Sequence, residues 1–247
     1  MSDATTTQTP AQTSERPLNW LLAALPQAEY DRLRAGMEVV RPRLQEVLYE
    51  QGDPMAHVYF PERGTVSLLA VMADADSIEV STVGNEGMVG VSLVLGGDTS
   101  PHRATCQIPG RMLRMRAAEF RAAIPPDHPL HAILRRYVDA FLMQLARSVA
   151  CNRAHAVPQR LARWLCMTHD RAGSDEFPLT QEVIAQMLGV RRQTVSEVAG
   201  EFQAAGLIDY RLGRVTVEDR PALERAACEC YRTVRARFDR TLGAPRG

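Results

Sequence analysis

No lysine occurs in these 247 residues; all 29 basic side chains are arginine. A Walker-type phosphate loop, a protein-kinase site and a pyridoxal Schiff base each normally need a lysine, so those chemistries are set aside. A GC-rich coding bias explains the absence, and it leaves arginine, which suits planar contacts with bases and phosphates. Net charge is also missing. The 29 acids balance the 29 arginines, so any case for nucleic acid rests on local residues. Cysteine is scarce and odd in number: Cys106, Cys151, Cys166, Cys228 and Cys230. Such irregular spacing is no disulfide framework. Long apolar runs are absent too. The longest, near Val66 to Ala73, is far too short to cross a bilayer. The N-terminus has no cationic start followed by an apolar stretch, so no signal peptide is expected. These absences predict a cytoplasmic protein with no membrane partner.

What is present divides into segments. Residues 1–17 are polar and read as a disordered tail. Leu18 to Met37 predicts helix interrupted at Pro26. From Val39 to about Arg116, short β-rich runs alternate with turn residues such as Gly52-Asp53, Gly64 and Gly84-Asn85. That rhythm predicts a small antiparallel barrel or roll. A short helix from Ala117 stops at Pro125-Pro126, and a long one follows from about Pro129 to Ala156. Along it Leu134, Val138, Phe141, Leu145, Ser148 and Asn152 recur at spacings of four and three. Such a seam either packs on the chain's own barrel or pairs with a second copy. Polar Ser148 and Asn152 at seam positions suit a register-setting layer and point to pairing. Beyond Pro158, helices are expected at Gln159–Asp170, Thr180–Leu188, Arg192–Ala205 and Arg220–Leu242. The expected units are a tail at 1–17, a β-rich domain at 18–128, a long helix at 129–157 and a helical C-terminal domain at 158–247.

The segment from Leu179 to Val198 carries the function. Thr180 is a good helix N-cap. Val183, Ile184, Met187 and Leu188 make an apolar face, and Ala185 leaves room for a second helix. Gly189 can take the left-handed conformation of a sharp turn. The second helix turns Val195, Val198 and Phe202 inward. This order is a helix-turn-helix. Outward lie Arg191, Arg192, Gln193, Thr194 and Ser196. Arginine can bond guanine O6 and N7, and glutamine adenine N6 and N7, each through two bonds; threonine and serine suit phosphates. Asp209 to Val217 predicts a β-hairpin wing bearing Arg211 and Arg214. With Thr180 and Gln181, these residues form the expected DNA-contacting set. Between Gln159 and Thr216 arginines and acids are equal in number, so binding depends on a few well-placed contacts and on dimerisation.

From about Leu18 to Val217 the sequence resembles the CRP/FNR superfamily, the cyclic-AMP receptor and fumarate-nitrate regulators. The most specific residues are Leu179-Thr180-Gln181, Ile184 to Gly189 and Arg192 to Ser196. The resemblance implies an α+β fold: an N-terminal antiparallel β-roll like a cyclic-nucleotide-binding domain, a long dimerisation helix and a C-terminal winged helix-turn-helix. It further implies a homodimeric transcription regulator on a two-fold symmetric operator of double-stranded DNA. RNA polymerase and a small-molecule effector of unknown identity are candidate partners. Arg192 matches the family's guanine-reading arginine. Gln193 stands where many members have Glu, and Glu197 where the cyclic-AMP receptor has Arg; a carboxylate cannot donate to guanine, so a different operator is implied. At the effector site the family's cyclic-nucleotide binders place Glu after a glycine and an Arg-Ser or Arg-Thr pair later. Here Gly90 is followed by Val91, and the later segment reads His102-Arg103-Ala104. These five are the candidate ligand residues, with cyclic-AMP dependence not expected. The N-terminal cysteine cluster of the family's iron–sulfur branch is missing, and no cofactor is expected.

The remaining signals have plain readings. Cys228-Glu229-Cys230 lacks the usual zinc spacing and has no matching pair nearby; in one helix the two thiols point about 200° apart. Packing or surface cysteine is expected, with no metal. Asp74, Asp76 and Glu79 read as solvated residues of a hairpin tip. There is no His-Glu-x-x-His and no Gly-x-Ser-x-Gly, and no enzyme is expected. The alternative function is a cyclic-nucleotide or other small-ligand sensing module acting through a protein partner.

Overall fold

A computed structural model describes residues 16–73 and 77–243. Most of the expected tail, and the carboxylates Asp74 and Asp76, lie outside the described residues. Asn19 begins the fold: its carbonyl oxygen accepts from the Leu21 and Leu22 amides at 3.1 and 3.3 Å. Its amide donates to the carbonyls of Pro61 and Gly87 at 2.9 and 2.8 Å. One buried side chain therefore caps α1 (Trp20–Ala23) and ties it to the sheets. Pro26 separates α1 from α2 (Gln27–Ala35).

Seven strands follow: β1 (Glu38–Val40), β2 (Val47–Tyr49), β3 (His57–Pro61), β4 (Thr65–Val71), β5 (Ser77–Val83), β6 (Arg103–Ile108) and β7 (Met112–Arg116). They form two antiparallel sheets, ordered β1-β7-β3 and β2-β6-β4-β5. Val58, Phe60, Val66, Ile108, Met112 and Leu113 fill the space between them. This is the expected roll. The carboxylate of Glu79 departs from the solvated reading. It accepts from Ser67 Oγ at 2.5 Å and Gln107 Nε2 at 2.6 Å, and burial pushes it up to about 7.

After α3 (Ala117–Ala123), His128 and Pro129 start α4 (Pro129–Ala154), His128 Nδ1 accepting from the Leu130 amide at 3.1 Å. Leu130, Ile133, Leu134, Tyr137 and Phe141 face the roll and α1. Gln144 donates to Ser81 Oγ at 2.6 Å and the Thr82 carbonyl at 2.8 Å. The chain then turns into α5 (Val157–Ala172), β8 (Glu176–Pro178), α6 (Gln181–Leu188), α7 (Arg192–Ala204), β9 (Ile208–Arg211) and β10 (Arg214–Val217). The last three strands pair in the order β8-β10-β9.

The expected single helix from Arg220 to Leu242 is two: α8 (Arg220–Ala226) and α9 (Cys230–Leu242). Ala227 is extended (φ −71°, ψ 148°), and the break lets α9 fold back along α4, where Phe238 meets Tyr137 with ring centroids 6.3 Å apart. The roll and the helical C-terminal part are also joined by an ion pair. Arg171 of α5 bonds Glu86 at 2.6 and 3.1 Å and Thr82 Oγ1 at 2.6 Å, both charged side chains being buried. A Cβ on Gly84 would collide with the Arg171 side chain, so only glycine allows this approach.

Candidate nucleic-acid interface

Helix α6 starts at Thr180, whose hydroxyl accepts from the Val183 amide at 3.3 Å, and ends at Gly189 (φ 62°, ψ 41°). That conformation costs an L side chain and suits glycine. It lets the Val190 amide return to the Ala185 carbonyl at 3.1 Å. Val183, Ile184, Ala185, Met187 and Leu188 of α6 are buried, as are Val195, Val198, Ala199 and Phe202 of α7. The pair is thus locked by its apolar faces, and the polar face of α7 is free to meet another molecule.

Arg191, Arg192, Gln193 and Ser196 are exposed there, and Thr194 half-buried. Gln181 of α6 organises two of them: its Oε1 accepts from Arg192 Nε at 3.3 Å and from Ser196 Oγ at 2.9 Å. Gln193 Nε2 donates to Glu197 Oε1 at 3.1 Å, so the carboxylate occupies the neighbouring position without facing Arg192. Arg191 caps α7 without a side-chain bond, and its first turn holds no acid. Its free N–H groups and positive dipole end suit a phosphate. Beside α6, β9 and β10 join through Leu212 and Gly213, both with positive φ (49° and 72°), the type I′ geometry of a tight hairpin. The Leu179 amide donates to the Gly213 carbonyl at 2.7 Å, which seats the wing at the start of α6. Arg211 and Arg214 flank the tip and pair with Asp209 (3.0 Å) and Glu176. Strand β8, the outer strand of the wing sheet, escaped the sequence reading because Asp175 and its neighbours look like a loop.

The candidate ligand residues are only partly brought together. Gly90, Val91 and His102 line a cavity of about 260 Å³ between the roll and α4, closed by Tyr49, Phe141 and Leu142. Arg103 lies elsewhere: it alternates away on β6 and pairs with Glu50 at 2.6 Å. Ala104 is wholly buried in the sheet. Both therefore leave the candidate ligand set. Desolvation pushes the His102 imidazole down, which keeps it uncharged at neutral pH.

Two family models match: a Crp-like helix-turn-helix domain over residues 159–226 and a cyclic nucleotide-binding domain over residues 40–125. The chain belongs to the CRP/FNR family of transcription regulators. This CRP/FNR chain is 22% identical over 189 residues to the global nitrogen regulator of Nostoc sp., covering 73% of itself and 85% of that protein. It is 25% identical over 187 residues to the CRP-like cAMP-activated global transcriptional regulator of Mycobacterium tuberculosis, covering 73% and 84%. Its fold is similar to that of FixK2 from Bradyrhizobium japonicum, with a TM-score of 0.65 at 16% identity over 78% of this chain and 98% of that one.

The seam of this CRP/FNR chain needs correction at two positions. Leu134 and Phe141 are used by the chain's own core, so they are not available to a second copy. Val138, Leu145 and Ser148 are half-buried and Asn152 exposed. The outward apolar residues are Leu142 and Val149, 58% and 74% exposed and seven apart, next to Val138 and Leu145. The sequence periodicity marks an apolar stripe along the helix but not its rotation, which the roll's position sets. The cysteine reading is corrected as well. Cys228 precedes α9, and Cys228 and Cys230 converge with Cys151 of α4 and with His155, which caps that helix. No helix among the described residues is long and apolar enough to cross a membrane.

Proposed function

We propose that this regulator is a homodimer that reads a two-fold symmetric operator through α7, without depending on cyclic AMP. Residues 18–128 sense, 129–157 dimerise and 158–247 bind DNA. The observation that carries the reading is the Gln181–Arg192–Ser196 arrangement on an exposed helix face beside a wing. A guanidinium held by a neighbouring amide is pre-oriented for the two acceptors of a guanine edge. Thr180, Arg191, Thr194, Arg211 and Arg214 meet the backbone, and Gln193 a neighbouring base. The two α7 helices of a dimer enter successive major grooves about 34 Å apart. Dimerisation runs along Val138, Leu142, Leu145 and Val149, with Ser148 and Asn152 at its end. Cyclic-AMP independence is supported by the cavity at Gly90, Val91 and His102, where no charged arginine stands among the lining residues to meet a cyclic phosphate. An apolar effector suits those walls better.

Selection of random duplex DNA at one stated salt concentration, with Arg192→Ala and Gln193→Ala in parallel, tests this. The expected result is a two-fold symmetric consensus, with Arg192→Ala losing about 1–3 kcal/mol of discrimination at one base pair of each half-site. Equal binding to all sequences, unchanged by either substitution, would overturn the recognition-helix assignment. It would favour a sensing module that acts through a protein partner.

A further inference from the structure

Four metal-ligating side chains meet where α4 ends. Cys151 lies in its last turn and His155, four residues on, caps it, so both face one side. Cys228 comes from the α8–α9 break and Cys230 opens α9. The three sulfurs and one imidazole nitrogen all lie within 4.8 Å of one another. We propose that Cys151, His155, Cys228 and Cys230 form a closed, four-coordinate site for a thiophilic divalent ion of the zinc class.

The spacing carries the assignment. A tetrahedral ion with metal–sulfur bonds of about 2.3 Å holds its sulfurs about 3.8 Å apart. Cys151 Sγ and Cys228 Sγ are 3.6 Å apart, and Cys230 Sγ stands 3.9 Å from His155 Nδ1. Donors this close surround one ion; thiolates on different irons of an iron–sulfur cluster must stand apart to leave room for the inorganic core. All four coordination positions come from protein, the pattern of a structural site with no place for substrate water.

An independent feature lies one step further out. The other ring nitrogen, His155 Nε2, is 3.1 Å from the Glu229 carboxylate. That pairing fixes the ring so that Nδ1 faces the thiols as an acceptor, as carboxylates do behind metal-bound histidines. The three cysteines are buried and form a cluster of their own, apart from the main apolar core. Three thiolates on a divalent ion leave one net negative charge, and Arg160 and Arg163 stand close enough to offset it. The ion would clasp the end of α4 to the start of α9, beneath the joint that leads into α5.

Cobalt(II) titration of the full-length chain, purified under reducing conditions and stripped with chelator, tests the site. The expected result is one ion per chain, with intense visible d–d bands of tetrahedral geometry and thiolate charge transfer, displaced by zinc. Cys228→Ser should weaken the charge transfer. Because a buried cysteine variant can fail to fold, the exposed Glu229→Gln is the second arm; its affinity should fall about 10–100-fold with the spectrum's shape kept. Three results would each overturn the proposal: no stoichiometric cobalt spectrum from the wild-type chain; an iron–sulfur chromophore with matching sulfide; or isolation with a Cys151–Cys228 disulfide in place of the ion.

Discussion

Single residues at the boundary between roll and helices carry much of the electrostatic cost. Glu79 is held by Ser67 and Gln107, with Arg163 nearby, and burial pushes its carboxyl from 4.5 to about 7. A raised folded value means that folding favours the protonated form. Its contribution to stability is complete below about 4.5 and is lost as pH rises through about 7. Urea midpoints of wild type and Glu79→Gln should therefore diverge across that window, wild type losing ground as pH climbs. Parallel pH profiles would show that the carboxyl is not desolvated in solution. The Arg171–Glu86 pair makes a second prediction at this scale. Glu86→Gln leaves a buried guanidinium without its partner and should cost about 3–5 kcal/mol. Adding Arg171→Met should restore part of that loss, because the uncompensated charge is then gone. Denaturant unfolding of these two variants, the single variant Arg171→Met and wild type closes the cycle.

Helix α4 works on several faces at once, and each face has a different partner. Its inner stripe of Leu130, Ile133, Leu134 and Tyr137 belongs to the roll, and Tyr137 also meets Phe238 of α9. Leu142 and Val149 are exposed, and they are the face of the proposed dimer contact. Leu142→Arg with Val149→Arg should leave the monomer fold intact, since both side chains are exposed, and should raise the dimer dissociation constant at least tenfold. Sedimentation equilibrium reads this directly. A dimer of unchanged strength would move the interface off this helix. The α6–α7 turn behaves differently, because its geometry is local. Gly189→Val places a branched side chain at φ 62° and should cost roughly 1–2 kcal/mol on sterics alone. Thermal unfolding would register that loss, with DNA affinity falling alongside as α7 tilts.

At the scale of the whole molecule, zero formal net charge gives this protein no overall attraction to DNA, so any steering comes from local charge. Affinity then rests on a few phosphate contacts, which the proposed dimer would repeat by symmetry. The salt dependence of operator binding should accordingly be modest, each contact adding about 0.9 to the slope of log K against log salt. Arg214→Ala should lower that slope by about one for each subunit while leaving the preferred sequence unchanged. A change of consensus instead would make Arg214 a base-reading residue. The wing arginines pair with Asp209 and Glu176, so a phosphate contact by either would have to exchange a carboxylate for a phosphate.

The sequence by itself determined the features whose physics is local. Thr180, Gly189 and the apolar spacing of α6 and α7 specify a helix-turn-helix because caps, turns and amphipathic faces act within a few residues. The Leu212-Gly213 hairpin and the turn-rich roll were legible for the same reason. Tertiary structure decided whatever depends on residues far apart in the chain. Glu79 looked solvated until α5 covered it, and Arg103 looked available until Glu50, 53 residues away, claimed it. Leu134 and Phe141 share their period with Val138 and Leu145, and only the roll's position sorts inward from outward. The α8–α9 break at Ala227 has no proline or glycine to announce it. It is also what turns Cys228 and Cys230 towards Cys151 and His155. Spacing along the chain could not reveal that group, because its members are joined by folding across 77 residues.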